Sequence, residues 1–449
     1  MPIKKPYLIF SIVTVLLLCA AQVAASTLLI LPCLVAFLAL VGWGCSENYT
    51  LPVLLFFLPW SPILKTSPTD FSFFTFGLVL VCAISIIKKR FQIKKYAIVA
   101  GIALVFLTLL SKVMDGNGLS FDYIAFMMLI VLFPVVKGEW TVKKYDFYQV
   151  VAFYALGIVV AAFCALALET IPTIARYIRV DSYASITRRS GFYGDANFYT
   201  AQITSAISGC LVMLIKERKR PRLVFLGIIT VLLLYCGFLS ASKSFVLVAA
   251  CALLIWFVTV LRMQGRTGLK ITLLVGVALL AVFVATSALF GDLIDVVVTR
   301  FSYASDLESF TTGRVNLWGS YIEEILGDIK IFFIGKGFTN VKVNGRGSHN
   351  TLIQILFQFG FVGIPFLVYW IASFLRGASR KGFRKKVNFP ELLIIAVGTF
   401  LPWFAIDALF FDEFFLLQWY MFSAIQQLRY EKVTAIVPVE GIYGRTEKK

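Results

Sequence analysis

"HNTLIQILFQFGFVGIPFLVYWIASFL" (residues 349–375) contains no Asp, Glu, Lys or Arg, and "RGASRKGFRKK" (376–386) follows it at once. An uncharged apolar run of this length crosses a bilayer as one helix, because about 20 residues span the roughly 30 Å hydrocarbon core. A basic cluster directly behind such a run marks the side of the membrane that retains Lys and Arg. This pairing recurs through the chain.

Of the 449 residues 59% are hydrophobic, and the mean hydropathy is +0.87, far above what a soluble globular chain carries. Apolar stretches follow one another near 7–25, 27–43, 51–64, 71–87, 96–111, 121–136, 148–168, 196–215, 223–240, 244–261, 270–290, 349–375, 389–406 and 408–427. They predict an all-α polytopic membrane protein with about 14 transmembrane helices (12–14), forming a single integral membrane domain over residues 1–449.

The formal charge of +18 raises the question of nucleic acid, and its distribution answers it. "MPIKK", "KKRFQIKK", "VKKY", "KERKRPR", "RMQGRTGLK" and "RGASRKGFRKK" occupy every second loop. With the N-terminus cytoplasmic, 13 of the 42 Lys and Arg residues lie outside and the other 29 inside, the positive-inside pattern. Both termini are therefore expected in the cytoplasm. The charge reports orientation, and no nucleic-acid partner is expected.

The eight cysteines lie in or beside apolar spans without a CxxC pair, and there is one histidine. They read as small buried hydrophobes, so neither a disulfide framework nor a metal site is expected. The first span lacks a small-residue cleavage pattern, so no cleavable signal is expected.

Two expected outer loops are long, 169–195 and 291–348, and both carry arginines against the positive-inside trend: Arg176, Arg179, Arg188 and Arg189 in one, Arg300, Arg314 and Arg346 in the other. Charge where topology disfavours it needs a partner. Any one of them could pair with Asp306, Glu308, Glu323 or Glu324, or with lipid headgroups. In the second loop Thr312 is placed to cap a helix whose apolar face is Val315, Trp318, Ile322 and Ile325, with Arg314 in its first turn. "IFFIGKGF" then turns back towards the bilayer. Ser348 is placed to cap the next helix, putting His349 at its first position. The positive end of a helix dipole and nearby arginines favour a neutral ring there, and a neutral imidazole is a usable general base. A histidine that only caps or packs is the other reading.

Taken in order, "RRSGFYGDANFYTAQ" (188–202), "TTGRVNLW" (311–318), "GKGF" (335–338) and "SHNTLIQILFQFGFVG" (348–363) resemble the O-antigen ligase and O-antigen polymerase superfamily of membrane glycosyltransferases. The resemblance covers roughly residues 185–375 in motif and the rest in topology. It implies a GT-C-like bundle that moves an oligosaccharide from an undecaprenyl-diphosphate carrier to an acceptor sugar hydroxyl at the outer face of the bacterial cytoplasmic membrane. It also implies that Arg188 or Arg189, together with Arg314, hold the diphosphate and that His349 beside Asn350 assists the acceptor; because arginines can supply the leaving-group charge, no cofactor or divalent metal is expected, with Asp306 and Glu308 as the alternative. Ala196 stands where many relatives have proline, and the doubled arginine leaves the choice within that pair open. Asp195 and Asn197 fit the shaping of a helix start, with orientation of the base as an alternative role.

Guanidinium forks suit a diphosphate leaving group because they neutralise it without losing a proton. A surface-polysaccharide polymerase is the preferred reading, since the superfamily holds many such polymerases for O-antigen, capsule and exopolysaccharide. An O-antigen ligase acting on lipid A core is the alternative. Expected partners are the lipid-linked oligosaccharide, membrane lipids, and chain-length regulator and flippase proteins. A polytopic transporter or lipid-linked oligosaccharide flippase is the rival from another class, against which stand span centres nearly free of ionisable groups and the lack of an evident internal repeat.

Overall fold

The computed structural model describes residues 4–89, 95–115, 121–136, 147–178, 180–183, 186–262, 276, 295, 298–299, 301–302, 311, 313–338, 342–379, 388–409 and 411–428. The described chain is overwhelmingly helical. Eight helices are long and apolar enough to cross a membrane: Lys5–Val23, Thr27–Glu47, Lys95–Asp115, Phe147–Leu168, Ala196–Lys216, Arg220–Leu239, Lys243–Arg262 and Thr351–Leu375. The protein is a multi-pass membrane protein. Four expected spans are shorter apolar helices instead, Thr50–Ile63, Phe73–Ile87, Tyr123–Val135 and Phe389–Phe404. Prolines account for part of that shortening: Pro59, Pro134 and Pro402 each open a 3-10 turn that ends the regular helix, as expected of a residue without an N–H. The last expected span is the 16-residue helix Asp412–Gln427. The expected span at 270–290 lies, Gly276 excepted, outside the described residues.

The elements that position the site can be numbered in chain order: α1 (Phe147–Leu168), the hairpin β1 (Val180–Tyr183) and β2 (Ile186–Arg189), α2 (Ala196–Lys216), α3 (Arg220–Leu239), α4 (Lys243–Arg262), α5 (Arg314–Gly327), α6 (Ile329–Ile334), α7 (Thr351–Ser379), α8 (Phe389–Phe400) and α9 (Asp412–Gln427). Helix α2 is the centre of the bundle, and its membrane window is 89% buried. Small residues permit this. Gly398 of α8 brings its backbone against α2, where an added Cβ would meet Ser208 at 2.4 Å, while Thr204 Oγ1 donates to Gly398 O at 2.9 Å. Close backbone approach and interhelical hydrogen bonds replace the hydrophobic drive that lipid cannot supply.

The 349–375 run is one helix by composition and two by backbone. Gly360 sits at φ 59°, ψ −175° inside α7, a conformation open to glycine alone. The break frees carbonyls, and the chain after α6 binds them: Lys336 N–H donates to Phe357 O at 2.9 Å and Gly337 N–H to Gln358 O at 2.8 Å. Gly335 lies so close that a Cβ there would meet Gln358 O at 2.3 Å. "IFFIGKGF" thus plugs a break in α7, which satisfies polar backbone at membrane depth.

The ends of α1 and α3 and the starts of α2, α4, α7 and α9 converge at one end of the bundle. The hairpin, α5 and the 401–409 segment cover it. Arg218, Arg220 and Arg222 lie at the other end of α2, about 30 Å away by helix rise.

Candidate functional site

Three of the four motifs, far apart in the chain, meet at that end. A cavity of about 890 Å³ is lined by Arg188, Asp195, Asn197, Arg314, His349 and Asp407, among others. Five of the seven residues singled out in the sequence line it. Arg189 and Asn350 do not.

The hairpin decides between the two arginines. Consecutive strand residues point to opposite sides. Arg188 faces the cavity, anchored by Nε donating to Ser240 O at 3.3 Å. Arg189 turns away into a two-pronged pair with Glu169, with Nε at 2.9 Å and Nη2 at 3.1 Å. The bonded Glu169 carboxylate raises the Arg189 pKa further above the ordinary arginine value. Arg189 is thus directed away from the cavity and held by Glu169.

Asp195 is the N-cap of α2, its Oδ1 accepting Asn197 N–H at 2.6 Å. Asn197 Oδ1 accepts Ser242 Oγ at 3.0 Å and Ser244 Oγ at 3.3 Å, tying the start of α2 to the start of α4. Both residues shape the wall of the cavity.

Helix α5 begins at Arg314, after Gly313 in the left-handed region at φ 80°; the expected cap, Thr312, lies outside the described residues. The inward face differs from the expected one. Leu317, Tyr321 and Ile325 are buried, and Ile322 is 44% exposed. Side chains lean towards the preceding turn and α5 rests on α7, with Tyr321 packed edge-on to Phe357 at 5.0 Å. This rotation carries Arg314 over the cavity. Burial lowers its pKa from the ordinary arginine value, Asp195 and Asp407 nearby oppose that, and Arg188 adds to it. Among the described residues, no carboxylate forms an ion pair with Arg314. A desolvated guanidinium that forms no ion pair with a described carboxylate keeps a planar fork of donors of the kind that suits an anion.

His349 is not the first residue of a helix capped by Ser348, as its sequence suggested. Asn350 is the cap: its Oδ1 accepts Leu352 N–H at 2.9 Å and Ile353 N–H at 3.3 Å. His349 precedes it in the left-handed region at φ 48°, half-buried and facing the cavity. A non-glycine residue held there costs on the order of 1 kcal/mol and persists where neighbours over-determine it. They do. Ser348 Oγ and Asn350 N–H both bond Asp407 Oδ1, the latter at 3.2 Å; Trp318 Nε1 donates to Ser348 O at 2.9 Å. Tyr321 OH donates to Arg346 O at 2.9 Å, and burial pushes that phenol up to about 12, so it stays a neutral donor.

Asp407 was missed in the sequence, because a single acid between apolar stretches reads as a span boundary. The adjacent acids Asp412 and Glu413 were missed too. Asp412 accepts Thr75 Oγ1 at 2.8 and 3.1 Å and Ser61 Oγ at 3.4 Å. Glu413 accepts Tyr193 OH at 2.7 Å and Gln202 Nε2 at 2.9 Å. They floor a second cavity of about 580 Å³ that shares His349 and Asp407 with the first.

In comparison with known proteins, the chain matches no family model, and no curated protein matches it.

Proposed function

We propose that the chain is a surface-polysaccharide polymerase of the O-antigen ligase and polymerase type, a GT-C-like bundle of about 14 spans in the bacterial cytoplasmic membrane, with both termini cytoplasmic. The observation that supports this most is that Arg188, Arg314 and His349 line one cavity. Two guanidinium groups and one imidazole suit transfer from a lipid diphosphate to a hydroxyl.

In this reading the undecaprenyl diphosphate of the donor lies against Arg188 and Arg314. The acceptor hydroxyl oxygen attacks the anomeric carbon, the bond from that carbon to the phosphate oxygen breaks, and undecaprenyl diphosphate departs with the electron pair. The hydroxyl proton passes to the free imidazole nitrogen of His349. The arginines neutralise charge that grows on the leaving group as the bond breaks, so their effect falls on the transition state. Asp407 holds the residues on both sides of His349 and so aims the ring.

Deleting the gene and sizing surface polysaccharide tests the reading. Loss of long chains with accumulation of single repeat units is the expected result. Long lipid-linked chains left unattached would instead mean ligation to lipid A core, and unchanged polysaccharide would refute both. Asp412 and Glu413 are the observation a transporter reading would use, and retention of repeat units on the cytoplasmic face would favour it.

A further inference from the structure

Strand β2 ends at Arg189 and α2 starts at Ala196, so the chain has to turn between the cavity arginine, Arg188, and the cap, Asp195, within a few residues. The 190–193 turn does this. Tyr193 N–H donates to Ser190 O at 3.0 Å, the Ser190 hydroxyl donates to Tyr193 O, and Gly191 takes φ 59°, where a side chain is strained. A turn this short has no core of its own, so its place is set by what its side chains grip. Phe192 packs against Trp60 with centroids 5.5 Å apart. Tyr193 reaches the start of α9, where its hydroxyl donates to Glu413 Oε1 at 2.7 Å across 220 positions of sequence. The same oxygen accepts Gln202 Nε2, from α2, at 2.9 Å. Glu413 is 4% exposed, and burial makes each of these bonds costly to lose. The transfer proposed above gives this carboxyl no part.

Resting on the function proposed above, we infer that Glu413 is a positioning residue for the donor site: through Tyr193 it fixes the turn between Arg188 and Asp195, and with it the place of the Arg188 guanidinium at the cavity. It does so as a hydrogen-bond acceptor, not as a charge or a proton carrier. Both of its donors share one oxygen, so an amide carbonyl in that place can serve both.

Variants of the full chain in nanodiscs test this through three measurements: the Kd for undecaprenyl diphosphate, turnover of lipid-linked repeat unit from deletion cells, and the melting temperature. Tyr193→Phe removes only the hydroxyl and Glu413→Leu the acceptor, and each is expected to weaken undecaprenyl diphosphate by about tenfold. Adding Tyr193→Phe to Glu413→Leu is expected to change the Kd by less than about twofold more, because the two break one contact. Glu413→Gln, the conservative variant, is expected to restore binding to within about twofold of wild type. Glu413→Gln as impaired as Glu413→Leu, in Kd or in turnover, would overturn the inference in favour of a charge or proton role, and so would effects of Tyr193→Phe and Glu413→Leu that multiply in full. A wild-type Kd in Tyr193→Phe overturns it too: a lowered melting temperature alone would leave Glu413 a structural group, and lowered turnover alone would place its action at the second cavity. A wild-type chain that binds no undecaprenyl diphosphate overturns the proposed function itself, a distinct outcome.

Discussion

Asp407 Oδ1 accepts the backbone N–H of Asn350 at 3.2 Å and also the Ser348 hydroxyl. One carboxylate oxygen therefore grips the residues on either side of His349, and Thr351 Oγ1 strengthens the clamp by donating to Ile406 O at 2.7 Å and accepting from Ala408 N–H at 3.0 Å.

Asp407→Asn keeps the size but loses one of two equivalent acceptors and the charge. Because Asp407 acts through the loop it holds, turnover should fall by about tenfold or more while the donor KM stays near wild type. A matched rise in donor KM would show that Asp407 touches the donor instead.

Arg188 and Arg189 should separate cleanly. Arg188→Ala removes a guanidinium that faces the cavity and should abolish long chains in cells at matched expression. Arg189→Ala breaks a part-exposed pair with Glu169, worth about 0–1 kcal/mol, and should leave chain length unchanged. The opposite ranking would return the diphosphate role to Arg189.

Arg314→Lys keeps the charge but loses the fork, so it should retain part of the activity at best. His349→Ala should depress turnover by about 10²-fold while undecaprenyl diphosphate still binds. Wild-type chain lengths from His349→Ala would reduce His349 to a loop residue before a helix cap.

Gly360→Ala places a Cβ about 2.4 Å from the Phe333 backbone at φ 59° and should lower the melting temperature of the purified chain clearly. Gly319, inside α5 with nothing within 4 Å of an added Cβ, offers the contrast: Gly319→Ala should raise stability by roughly 0.5–1 kcal/mol. Equal melting temperatures for the two variants would mean that the break in α7 is not a locked feature.

Orientation is testable at exposed positions on the two ends. On a background lacking native cysteines, Asn316→Cys should react with an impermeant thiol reagent in intact cells and Arg218→Cys should not. The reverse labelling would invert the topology.

Hydropathy and loop charge alone were enough to make this a helical membrane protein, because a bilayer admits few ways of satisfying a backbone and the required apolar length is a local property of the chain. Local chemistry also identified Asp195 as a cap and singled out Arg314 and His349, since unusual residue types in long loops stand out without knowledge of packing. Tertiary structure decided the rest. A sequence cannot say which of two adjacent arginines faces inward, because that depends on the register of a hairpin against Glu169 and Ser240. Nor could it connect Ser348 to Asp407, 59 positions away. The rotation of α5 follows from the surface of α7 beneath it, not from its own period. A lone glycine is tolerated in many membrane helices, so the break at Gly360 becomes visible only when the carbonyls it frees are seen bound by Lys336 and Gly337. In each case the deciding energy lies in contacts between segments distant in sequence, where no local pattern records it.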